Sequence, residues 1–128
     1  MPRVLLIGYA PDAVDFSDPG LPPGIDAEKI AAGIKVGLQQ MQDRGWQADF
    51  CAIKPDETIK EMVTKQLASA HYDCVVIGGG VRMSSTHLKE FEVVINAVGE
   101  GSPGTPIAFN TRPEDSADAA ARWLLGFK

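Results

Sequence analysis

Two segments of this chain are apolar without alternation, and they constrain the fold more than anything else in it. Arg3 to Tyr9 reads RVLLIGY and Cys74 to Ile77 reads CVVI. A strand with one face in water alternates apolar and polar residues. A continuous apolar run is how a strand covered on both faces reads, as in a parallel sheet between two helix layers. The segments around these runs switch to a helical period. The chain therefore predicts βαβαβαβα, starting with strand one at Arg3–Tyr9.

Asp26 is suited to cap the first helix, along which Ala27, Ile30, Ala31, Ile34, Leu38 and Met41 recur at helical spacing. Gly45 is placed to end it. Gly33 and Gly37 each cost this helix about 1 kcal/mol relative to alanine, so the pair predicts a close approach to the sheet or to a neighbouring helix. Strand two, Trp46 to Ile53, carries Asp49 and suits an edge. Lys54-Pro55 breaks it, and Asp56 caps a second helix with Ile59, Met62, Val63, Leu67 and Ala70 on one face. Strand three, Cys74 to Ile77, leads through a glycine turn to a third helix with Leu88, Phe91, Val94, Ile95 and Val98 in register. Pro106 to Phe109 is a short fourth strand. Thr111-Arg112-Pro113-Glu114 matches a capping box for a last helix to about Leu125, with Ala117, Ala120, Ala121 and Leu124 inward.

Such an alternation predicts one α/β domain over residues 1–128, a three-layer αβα sandwich with right-handed crossovers. Strands one and three are the most apolar and belong in the middle. The order is then 2-1-3-4, a flavodoxin-like (Rossmann-like) arrangement short of one βα unit.

Bulk properties exclude several roles. A net charge of −5 with no long run of like charge argues against nucleic acid. Cys51 and Cys74 make neither a disulfide framework nor a metal spacing and read as small buried hydrophobes. The first apolar run is too short for a signal peptide and meets Gly8, Asp12 and Asp15. No segment approaches the roughly 20 apolar residues of a membrane span. The expectation is a cytoplasmic protein without a membrane partner.

In a sheet of this order the ligand crevice opens at the carboxyl ends of strands one and three. Three segments meet there: Gly8 to Asp12, Gly78 to Ser85, and Asn110 to Arg112. Gly78, Gly79 and Gly80 allow a close backbone approach and positive φ. A following helix start would favour an anion, with Arg82 as a planar fork and Ser84, Ser85 and Thr86 supplying hydroxyls. Tyr9, Asn110 and Arg112 complete the expected site. The loop Ala10 to Ile25, with four prolines and two glycines, would cover it.

Familiar motifs are missing. Met83 stands where a dinucleotide fingerprint needs a third small residue. There is no Gly-Lys-Ser/Thr. Ala10-Pro11-Asp12-Ala13 lacks the hydroxyls of a flavin phosphate loop, and Gly78 replaces the aspartate of a receiver domain. No HxH, HExxH or CxxC is present, so neither a metal nor a cofactor is expected. His87 and Asp12 are the candidates for a general base; His71 lies at the far end of strand three.

The segments Tyr72-Asp73, Ile77 to Arg82, Phe109 to Asp115 and Asp15 to Pro19 together span about a quarter of the chain. They resemble a family of small stand-alone Rossmann-like α/β proteins. That resemblance implies the same layered domain and brings no activity with it. The reading is a domain that binds an anionic small molecule at the carboxyl edge. The alternatives are a small transferase or hydrolase using the same crevice, and a non-catalytic homodimer built on Trp123, Leu125 and Phe127.

Overall fold

The structure, a computed structural model, describes residues 2–14, 16–18 and 24–124. The expectations for Leu125 and Phe127, and for part of the long loop, lie outside these residues. The elements are β1 (Arg3–Tyr9), α1 (Ala27–Asp43), β2 (Gln47–Ile53), α2 (Ile59–Ala68), β3 (Cys74–Ile77), α3 (Gly79–Arg82), α4 (Leu88–Gly101), β4 (Ile107–Phe109) and α5 (Ser116–Leu124). Single 3₁₀ turns stand at Pro11–Ala13 and Pro113–Asp115.

The sheet is all parallel with order β2-β1-β3-β4. Ile7 pairs with Cys51 on one side, and Val4 with Cys74 on the other, so β1 separates the two cysteines. Successive residues of a strand point to opposite faces, and the core divides accordingly. Leu5, Ile7, Tyr9, Val75 and Ile77 pack with Ile59, Val63 and Leu67 of α2 and Val94 and Val98 of α4. Val4, Leu6, Cys74 and Val76 pack on the other face with Met41 of α1 and Ala117, Ala119 and Ala120 of α5. Each large apolar side chain buried this way contributes about 1.5–3 kcal/mol.

Several local expectations change. Ala31 is exposed and Ala119, rather than Ala121, is buried, because α1 and α5 turn slightly different faces inward. Met62 is also exposed, and so is Leu88, which sits at the very start of its helix. A fifth helix appears because the glycine segment is itself a helical turn, α3, separated from α4 by Met83 to His87. Among the described residues, no helix is long and apolar enough to cross a membrane.

The Gly33/Gly37 pair has a definite neighbour. A Cβ at Gly37 would lie 2.4 Å from the Pro113 carbonyl oxygen, and one at Gly33 would lie 2.8 Å from Glu114 Oε1. The small residues let α1 sit against the 3₁₀ turn that leads into α5. Gly45, at φ 85°, ends α1 as its position predicts.

The amino-terminal rim of the sheet is closed by polar contacts. Arg3 N donates to Asp73 Oδ2 at 2.8 Å, and Arg3 Nε to Asp49 Oδ2 at 2.9 Å. Tyr72 Oη donates to the same Asp49 oxygen at 2.7 Å and accepts from Gln66 Nε2 at 2.9 Å. Burial opposes the charge of Asp49, but hydrogen bonds from Tyr72 and Arg3 outweigh it and hold the carboxyl below its ordinary range.

Candidate functional site

A cavity of about 110 Å³ opens at the carboxyl rim, where β1 and β3 lie side by side. Its floor is Leu6, Gly8 and Phe50; Ile30 and Ile34 of α1 form one wall, and Gly78–Gly80 with Met83 form another. Asn110 to Pro113 close the third side, and Val14 and Ile25 border the mouth. Most of this lining is apolar. An apolar cavity of about 150 Å³ holds benzene, so the space suits a single small ring or a short branched chain.

The glycine turn approaches its neighbours closely, but with ordinary backbone angles. Gly78 has φ −65° and ψ 146°. The glycines with positive φ among the described residues are Gly24, Gly45 and Gly104. The expected left-handed bend is absent because the chain enters a helical turn directly. What glycine supplies is room: a Cβ at Gly78 would lie 3.2 Å from the Ile7 carbonyl oxygen, and one at Gly79 would lie 2.7 Å from Met83 Cε and 3.1 Å from the Thr111 carbonyl oxygen. Gly80 differs, for a Cβ there meets nothing within 4 Å.

Asn110 holds this turn in place. It is 1% exposed; its Oδ1 accepts from Gly79 N at 2.7 Å, and its Nδ2 donates to Ser116 Oγ at 2.9 Å. Its amide is therefore a brace between β4, α3 and α5. Arg82 points away from the cavity. Its Nη2 donates to the Asn110 carbonyl oxygen at 3.1 Å, its guanidinium lies 5.8 Å from the Phe109 ring centroid, and its buried Nε has no partner. Arg112, exposed, borders the cavity directly. The cap at this corner is made by Asp115 in place of the expected Glu114: its carboxylate accepts from Thr111 N at 3.0 Å and from the Thr111 hydroxyl.

The hydroxyl cluster already holds an anion, the carboxylate of Asp18. Ser84 Oγ donates to Asp18 Oδ2 at 2.7 Å, Ser85 Oγ to Oδ1 at 2.6 Å, and Ser85 N to Oδ2 at 3.2 Å. Asp18 is only 6% exposed. Beside it is an annex of about 10 Å³ bordered by Tyr9, Asp18, Gly80, Ser84 and His87. Tyr9 is 6% exposed, its Oη is buried without a partner among the described residues, and its ring meets His87 edge-on at 6.0 Å. Burial, with a smaller contribution from Glu90, pushes the Tyr9 hydroxyl up to about 12. His87 Nδ1 is 3.7 Å from Glu90 Oε2. Asp12 is exposed and borders neither cavity.

Of the residues expected at the site, Tyr9, Gly78, Gly79, Gly80, Asn110 and Arg112 come together at the cavity, and Ser84 and His87 at its annex. Arg82 and Ser85 serve the surrounding scaffold. Sequence reading missed Asp18, Phe50 and the Ile25–Ile30 pair. The pair had a signal, since Ile25 and Ile30 flank the Asp26 cap at the spacing of a hydrophobic staple, and Asp26 Oδ1 does accept from Lys29 N at 2.8 Å. Among the described residues no group of three or more His, Cys, Asp or Glu is placed to hold a metal.

Fold and rim together define a doubly wound α/β protein with a mainly apolar cavity at its topological switch point. The chain matches no protein-family model, and no curated protein is significantly similar to it in sequence.

Proposed function

We propose that this protein binds a small anionic molecule with an apolar body, its ring or short chain in the cavity between α1 and the Gly78–Gly80 turn, and its carboxylate or phosphate beside Arg112. The observation that carries this reading is the cavity itself: it lies at the β1/β3 switch point, is lined mainly by apolar residues, and has one exposed cationic residue, Arg112, at its border. Three separate segments supply its walls, as a site built on a parallel sheet requires. The ligand is thus more apolar than the glycine turn and the hydroxyls suggest, because those hydroxyls are engaged with Asp18.

Binding is favoured over catalysis on geometry. Asp12 borders neither cavity, His87 stands edge-on to Tyr9 at the annex and does not line the main cavity, and Cys51 and Cys74 are buried thiols pushed up to about 11 by desolvation. The test is thermal stability against benzoate, phosphate, sulfate and nucleotides. Benzoate at 100 times its Kd stabilises the fold by about 2.7 kcal/mol through mass action, and phosphate alone has little effect. Arg112→Ala removes most of the benzoate response. A flat response of the wild type to every anion tested contradicts the proposal.

A further inference from the structure

The annex beside Tyr9 is not explained by a ligand that ends in the main cavity. A buried hydroxyl without a partner is costly to the fold, and such groups in a folded protein call for a reason. The annex is also bordered by Asp18, Ser84 and His87, yet Ser84 is bonded to Asp18 and the Tyr9 hydroxyl has no partner among the described residues. The space next to it, about 10 Å³, has room for a single heavy atom.

The annex and the main cavity have Tyr9, Val14 and Gly80 in common. The Tyr9 side chain belongs to the core half facing α4, whereas the main cavity lies on the α1 side, so the two spaces meet above the strand ends. Gly80 stands at that meeting point with no side chain and open space where a Cβ would be. A ligand seated against α1 reaches the annex over this residue.

Charge decides which group it presents. Asp18 borders the annex, and Glu90 is near enough to act on the Tyr9 hydroxyl. Two carboxylates disfavour a third negative group. A neutral hydroxyl suits the space, since it accepts from Tyr9 Oη and donates to a carboxylate or imidazole acceptor.

We infer that the annex is a second, uncharged subsite of the same pocket, in which Tyr9 Oη binds a hydroxyl at the end of the ligand opposite its anionic group. The substrate class is then a small hydroxylated organic anion, and Tyr9 is the residue that selects for the hydroxyl. This rests on the reading of the main cavity as a ligand site.

The test uses three probes, benzoate, 4-hydroxybenzoate and terephthalate, titrated by calorimetry into the wild type, Tyr9→Phe and Gly80→Ala. In the wild type 4-hydroxybenzoate binds about tenfold more tightly than benzoate, the worth of one hydrogen bond to a group otherwise unpaired. Terephthalate, with a second carboxylate in place of the hydroxyl, binds more weakly than either. In Tyr9→Phe the ratio of the 4-hydroxybenzoate and benzoate affinities falls to about one. Gly80→Ala, which adds a methyl where the two spaces meet, lowers the same ratio and gives an independent reading if Tyr9→Phe folds poorly. Equal wild-type affinities for benzoate and 4-hydroxybenzoate, a ratio that survives Tyr9→Phe, or terephthalate binding most tightly each overturn the annex inference while leaving the main cavity standing. Binding of none of the three overturns both.

Discussion

Tyr72 and Tyr9 stand at opposite ends of the same sheet, and comparing them separates scaffold from site. Both are almost fully buried, at 1% and 6% exposure, so burial does not distinguish them. Tyr72 Oη both donates to Asp49 and accepts from Gln66. Tyr9 Oη finds no partner among the described residues. The pattern extends to their surroundings. The amino-terminal rim is knitted by Arg3, Asp49, Tyr72 and Asp73. The carboxyl rim has a cavity and both buried side-chain polar atoms found without a partner among the described residues, Tyr9 Oη and Arg82 Nε. Departures from full polar satisfaction are expected at functional sites, and the Tyr9 hydroxyl fits the proposed ligand site in that respect.

The largest expected effect concerns what keeps the cavity open. Gly37→Ala forces a methyl group against the Pro113 carbonyl, 2.4 Å from the position its Cβ must take. The obstacle is backbone and cannot rotate away, so α1 is pushed from the 3₁₀ turn at a net cost of about 3 kcal/mol or more, even after alanine's better helix propensity. Urea denaturation measures this, and Gly99→Ala, where a Cβ meets nothing within 4 Å, serves as the neutral or stabilising control. Next comes the amino-terminal rim. Tyr72→Phe deletes two hydrogen bonds, one to a carboxylate, and lowers stability by about 1.5–3 kcal/mol. Tyr9→Phe, the same change at the other rim, leaves stability unchanged or raises it by up to about 1 kcal/mol, because no bond is lost. Equal losses in the two variants would erase the distinction between the rims.

The smallest effect is on the alkaline side. Cys51 and Cys74 are raised from 9.0 to about 11, and Tyr9 from 10.0 to about 12, all chiefly by desolvation. A folded-state pKa above the unfolded one means the native state holds its proton longer. The contribution is complete below pH 9, and stability declines as pH rises from about 9 to 12. A denaturation series across that range gives the slope, and the thiols of the native protein react slowly with a disulfide reagent at pH 8.

The layered fold was legible because each of its causes is local or periodic. The unalternating runs at Arg3 and Cys74 mark covered strands, the caps at Asp26 and Gly45 mark helix ends, and Asp49 marks an edge. The location of the crevice followed from strand order alone. The character of the crevice was not legible, because it depends on pairings far apart in sequence. Asp18 takes up the hydroxyls of Ser84 and Ser85 from 66 and 67 residues away. Asn110 spends its amide on Gly79, 31 residues earlier. Arg82 turns towards Phe109, a choice no spacing encodes. Ile30 and Ile34 read as core positions and are apolar for that reason; only the stand-off between α1 and the glycine turn makes them the wall of a cavity.

The claim that the carboxyl rim is the receiving end is tested most directly by mapping backbone amide shifts while benzoate is added to the protein. The account predicts that the resonances that move belong to Gly8, Tyr9, Gly78–Gly80, Thr111 and Arg112, while Arg3, Asp49, Tyr72 and Asp73 stay still. Saturable shifts centred on the amino-terminal rim, or a spectrum that does not change at any benzoate concentration, would contradict it.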